Sequence, residues 1–151
     1  MNVRDRVRRV FLQPQPFYTA PEAAELLGWR RDELDAAIRD GEIEATRTST
    51  GFHVPWQEVA VSISAKEPQA VIEKALGEHL GSVMPELVRL AELRVEIPRY
   101  QTVMLSKLAE RERLSVDELL SRHLLDLAGA ESDWLERAIP QFNAAMRWPE
   151  P

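Results

Sequence analysis

The stretch ELRVEIPRYQ, residues 92–101, constrains this chain more than any other. Leu93, Val95 and Ile97 alternate with Glu92, Arg94 and Glu96, the period-two pattern of a half-buried strand, and Pro98 closes it. Helical periodicity flanks the segment on both sides. A lone strand leaves its N–H and C=O groups unpaired and is not stable by itself in water. The fold must therefore supply a second strand, and the rest of the sequence has to say from where.

The totals limit the answer. A chain of 151 residues with 44% hydrophobic content has room for one ordinary domain or two small ones around a packed core. A formal net charge of −6 means that any nucleic-acid surface must be local. The absence of cysteine excludes disulfides, thiolate metal sites and a cysteine nucleophile. The amino terminus MNVRDRVRRVF lacks the apolar run of a signal peptide, and no stretch reaches membrane-spanning length, so a cytoplasmic protein away from the membrane is expected. His53, His79 and His123 are isolated, and no nucleophile elbow, P-loop or dinucleotide fingerprint is present. Neither an enzyme nor a bound cofactor or metal is expected.

Punctuation divides the chain into an N-terminal arm or helix (1–16, ending in QPQP), a compact unit (17–62), a helical connector (63–90), the strand with two helices (91–128) and a C-terminal tail (129–151). Val3, Val7, Val10 and Phe11 share helical spacing, which favours a packed helix with solvated arginines over a free basic arm. Acidity concentrates away from the compact unit: residues 57–88 carry 2 basic and 5 acidic groups, and residues 129–151 carry 2 and 4.

Within 17–62, Thr19 and Glu22 form a capping box, Pro21 sits in the first turn and Gly28 stops the helix. A second helix follows, with Leu34, Ala37 and Ile38 on one face and Gly41 as its stop, and then two short strands at about 43–47 and 52–54. This order, with Thr19, Glu22, Ala23, Ala24, Leu27, Gly28, Leu34, Ile38, Arg39, Gly41, Ala45, Arg47, Gly51, Phe52, Val54, Pro55 and Glu58 in place, resembles the excisionase-like winged helix-turn-helix family. The resemblance implies a DNA-binding unit. Its second helix would present Arg30, Arg31, Asp35 and Arg39 to double-stranded DNA, and its wing Arg47, Thr48, Ser49 and His53.

Beyond Pro98, Met104, Leu105 and Leu108 mark one helix, and Ser115 with Glu118 caps another that carries Val116, Leu119, Leu120, Leu124 and Leu127. Strand, helix, turn and helix, matched at Val95, Ile97, Pro98, Leu108, Ala109, Glu110, Ser115, Glu118, Leu119, Leu120 and Leu124, resemble the ribbon-helix-helix family. The resemblance implies that the strand pairs antiparallel with the same strand of a second chain. The homodimer would then bury Leu93, Val95, Ile97, Met104, Leu108, Leu119, Leu120 and Leu124, leaving Arg94 on the groove-facing side of the ribbon.

The tail places Trp134, Leu135, Ile139, Phe142, Met146 and Trp148 on a short segment, a density of apolar groups that marks either an interface with a protein partner or a segment folded back on its own dimer. The expectation is a mainly α protein, an N-terminal winged helix-turn-helix followed by a ribbon-helix-helix with an intermolecular two-stranded antiparallel ribbon. It would act as a homodimeric DNA-binding transcriptional regulator, in the layout of an autoregulating antitoxin whose tail masks a toxin. The alternative is an adaptor that keeps both folds without binding DNA, motivated by the acidic residues Asp32, Glu33, Asp35, Glu92 and Glu96.

Overall fold

The computed structural model describes residues 1–150. The chain is mainly helical, with one three-stranded antiparallel sheet. It forms two compact units, one of Met1–Leu90 with the segment from Ala144 onward, the other Ala91–Asn143.

The first unit opens with helix α1 (Val3–Leu12), where the Asn2 side chain accepts the Asp5 N–H at 2.8 Å and so satisfies one free amide of the first turn. Val7, Val10 and Phe11 of α1 are buried. Strand β1 (Phe17–Thr19) leads into α2 (Ala20–Leu27), a turn and α3 (Arg31–Asp40), then β2 (Thr46–Thr48) and β3 (Gly51–Pro55). Gly28 and Gly41 end the two helices at φ of 66° and 77°, the left-handed cap that glycine adopts most readily.

The sheet runs in the order β1-β3-β2, with Tyr18 opposite Val54 and Arg47 opposite Phe52. The hairpin matches the expectation within three residues at its ends, whereas β1 has no counterpart in the sequence pattern. Its three residues follow a proline-rich joint, and what fixes them is pairing with β3, more than thirty positions away. Tyr18 and Val54 turn into the core from adjacent strands, and burial pushes the Tyr18 phenol above its ordinary pKa.

Helix α4 (Trp56–Lys66) follows the sheet directly, and α5 (Gln69–Leu76) and the short α6 (Leu80–Val83) complete the unit. The segment 63–90, expected as a connector, is instead part of this body. Ile63, Ile72, Ala75, Leu76 and Met84 belong to the same core cluster as Val7, Val10, Tyr18 and Leu34. The reason is area: α1 brings an apolar face that α2 to α4 do not cover by themselves, and α5 packs on it. The end of the body is pinned by polar contacts. Gln69 donates to the Val88 carbonyl, Arg89 Nε donates to the Met84 carbonyl at 3.0 Å, and Glu73 accepts the Leu90 N–H at 2.6 Å.

The C-terminal segment belongs to this unit as well. Trp148 stacks on Phe11, with ring centroids 5.3 Å apart and planes 15° apart, and Trp56 meets the same ring edge-on at 6.2 Å. Trp148 is therefore partly covered within its own chain, which for this residue corresponds to the fold-back alternative rather than the partner interface. Arg6, expected among solvated arginines, is also largely enclosed, paired with Glu67 at 3.1 Å.

The second unit holds the helical hairpin α7 (Arg99–Glu112) and α8 (Val116–Ala130), followed by α9 (Ser132–Ala138); α10 (Phe142–Arg147) begins at its end. Ser115 and Glu118 make the expected capping box, with Ser115 N–H to Glu118 at 2.7 Å and Glu118 N–H to the Ser115 hydroxyl at 3.1 Å. Residues 89–98 form no helix or strand within the chain. Leu93 and Val95 are 78% and 61% exposed. In this unit only Ala109 and Leu119 are buried apolar residues. Leu119, expected in the dimer interface, is thus already covered inside its own chain.

Candidate functional site

Helix α3 and the β2–β3 hairpin enclose a cleft of about 730 Å³ lined by Arg31, Asp35, Ile38, Arg39, Ala45, Arg47, Thr48, Ser49, Gly51 and Phe52. Local rules build both walls. Leu34 and Ala37 point one side of α3 into the core, so Arg31, Asp35 and Ile38, at i, i+4 and i+7, fall on the side that lines the cleft. On the hairpin, Arg47 lies directly opposite Phe52, and cross-strand partners share a face. Both therefore line the same cleft. The Thr48 hydroxyl donates to the Gly51 carbonyl at 2.8 Å and tightens the hairpin turn.

The charges lining the cleft are Arg31, Arg39 and Arg47 against Asp35, a local cationic excess in a chain whose formal net charge is −6. The four arginines expected on DNA from the helix and wing are not equivalent. Arg30 is engaged on Asp32 through both its Nε, at 2.9 Å, and a terminal nitrogen, and it does not line the cleft. Arg31 gives only its Nε to Asp35, at 3.1 Å. Arg39 and Arg47 are exposed, and neither has an ion-pair partner among the described residues.

His53 departs from the expectation. It stacks on Phe17 with centroids 4.5 Å apart, on the sheet face opposite Phe52 and Val54, because successive side chains of a strand point to opposite sides. Arg94 lies in the unpaired segment, 3.6 Å from the Glu92 carboxylate, with both side chains largely exposed. Of the nine residues expected on DNA, the structure gathers Arg31, Asp35, Arg39, Arg47, Thr48 and Ser49 around one cleft and leaves Arg30, His53 and Arg94 outside it.

Capping bonds fix the starts of α2 and α3. The Thr19 hydroxyl and backbone N–H donate to Glu22 at 2.7 and 2.9 Å, and these bonds hold the Glu22 carboxyl below the usual carboxylate range. Glu33 accepts the Arg30 backbone N–H at 2.6 Å at the start of α3. In the second unit the Ser115 N–H likewise lowers Glu118.

The other expected interfaces are distributed unevenly. Leu93, Val95, Ile97, Met104, Leu120 and Leu124 are exposed in the chain by itself. Leu108 is half-buried. In the tail, Trp134 and Ile139 are exposed, whereas Leu135, Phe142 and Met146 are partly covered. Among the described residues, no group of three or more His, Asp or Glu side chains is placed to hold a metal ion, and no helix is long and apolar enough to cross a membrane.

In comparisons with known proteins, no family model, no curated protein and no solved structure matches the chain.

Proposed function

We propose that the chain is a homodimeric, sequence-specific DNA-binding transcriptional regulator of the cytoplasm. In this reading residues 17–62 act as a winged helix-turn-helix, with α3 entering the major groove and the β2–β3 hairpin as the wing on the flanking backbone. The observation that carries it is the α3–hairpin cleft, where Arg39 and Arg47 remain unneutralised in an otherwise acidic molecule. Two cations free of internal partners can each release a counterion on meeting phosphate, whereas Arg30, clamped by Asp32, cannot do so without losing that bond. The acidic balance elsewhere keeps the interaction local and discourages unspecific coating of DNA.

Dimerisation rests on the second unit. Its hairpin buries Ala109 and Leu119 but exposes Leu120 and Leu124 of α8 and Val103 and Met104 of α7, beside a backbone segment that pairs with nothing in its own chain. A ribbon-helix-helix dimer gives that segment a partner strand and covers those side chains in one step. Trp134 and Ile139 remain outside this interface and are the groups through which an antitoxin-like regulator would hold a toxin.

The test is a fluorescence-anisotropy titration of duplex DNA from upstream of the coding sequence, repeated over a salt series. Binding is expected to weaken steeply with salt. Arg47→Ala should weaken it across sequences and flatten the slope of log K against log salt by about one for each phosphate that the variant no longer neutralises. An adaptor that binds no DNA is the second reading, favoured by the ion pairs of Arg30 with Asp32 and Arg31 with Asp35. No shift at low salt, or one indifferent to Arg39→Ala and Arg47→Ala together, selects the adaptor.

A further inference from the structure

Resting on the DNA-binding reading above, we infer that Arg31 is the specificity-determining residue of the cleft and that it reads a guanine, with Asp35 as its positioning residue. The inference comes from which guanidinium nitrogens are already used. Arg31 donates through Nε to the Asp35 Oδ1 at 3.1 Å, and its two terminal nitrogens have no partner among the described residues. A guanidinium held at Nε is fixed in orientation and presents the terminal pair as a fork. That fork matches the O6 and N7 acceptors on the major-groove edge of guanine, and on no other base does that edge carry two acceptors in this arrangement.

Neighbouring arginines lack this combination. Arg30 spends Nε and a terminal nitrogen on Asp32, so its fork is closed. Arg39 and Arg47 are unheld and can swing to phosphate, which carries no sequence information. Arg31 is also the first residue of α3, the part of a groove-inserted helix that comes nearest to base edges. A cation there is opposed by the helix dipole, so its position is not explained by helix stability. Asp35 sits one turn on, where its carboxylate offsets that repulsion and fixes the side chain.

The experiment is selection of bound sequences from a randomised duplex pool by the full-length protein and its variants, with the total affinity for the unselected pool measured alongside. Wild type should enrich a G·C pair at one position of each half-site. Arg31→Ala removes the fork, so the preference for guanine at that position should fall by about 5- to 150-fold, the range of one bidentate pairing, while affinity for the unselected pool falls no further than in Arg39→Ala. Asp35→Asn should reduce the same preference, since the loosened guanidinium is no longer held, without lowering pool affinity. Arg30→Ala should leave it intact. Persistence of the guanine preference in Arg31→Ala, or its disappearance in Arg30→Ala, overturns the assignment while leaving DNA binding standing. Failure of the wild type to retain any duplex overturns the DNA-binding reading and this inference with it.

Discussion

Arg6 and Gly28 meet at the end of α2, and each restricts what the other can be. Gly28 has φ of 66°, and a Cβ built there collides with the Arg6 guanidinium, which is itself tied to Glu67. Gly28→Ala therefore meets backbone strain and displaces a paired cation together. The expected result is a destabilisation of about 1–3 kcal/mol, seen as a lower urea midpoint at unchanged slope. Glu22 and Glu118 set a second residue-level expectation. Both carboxyls titrate below their unfolded value, so each stabilises the fold at neutral pH and the contribution is lost as pH falls below about 4. Glu22→Gln should flatten the acid side of a stability-against-pH curve without changing its neutral plateau's slope. These caps are legible in the sequence because Thr19 and Glu22, and Ser115 and Glu118, lie three residues apart, and the chemistry is complete within one turn. Arg6 is not legible: along α1 it is one arginine among four, and only the folded chain brings Gly28 and Glu67 to it.

At the level of elements, helical spacing marks α5 as a helix but is silent on which surface it covers. Ile72, Ala75 and Leu76 close the core over α1, so a segment that reads as a spacer carries part of the first unit's stability. Ile72→Ala or Leu76→Ala should cost about 2–5 kcal/mol, measured by thermal or urea unfolding, where a true connector would show almost none. The same limit explains β1 and Trp148. Phe17–Thr19 is a strand because β3 pairs with it, and Trp148 is covered because Phe11 offers a ring face. Both depend on partners far along the chain, which periodicity cannot specify. The α3–hairpin cleft is legible in its residue types, through the spacing of Arg31, Asp35 and Arg39 and the short hairpin around Arg47. Which of its arginines are ion-paired depends on geometry that spacing does not fix.

For the molecule as a whole, the chain leaves its first unit after Leu90, builds the α7–α8 hairpin and returns at Ala144. That second unit buries few apolar side chains by itself and exposes a strand-patterned segment, an arrangement that a second copy would complete under the proposed reading. Pairing would bring two cationic clefts into one two-fold assembly and thereby set the spacing of a symmetric target. Sedimentation equilibrium of the full-length protein at micromolar concentration tests this most directly, beside Val95→Glu, a change at a position exposed within the single chain. The account predicts twice the chain mass for the wild type and a folded species of single-chain mass for Val95→Glu. A folded wild type sedimenting at single-chain mass, or a dimer untouched by Val95→Glu, would contradict it.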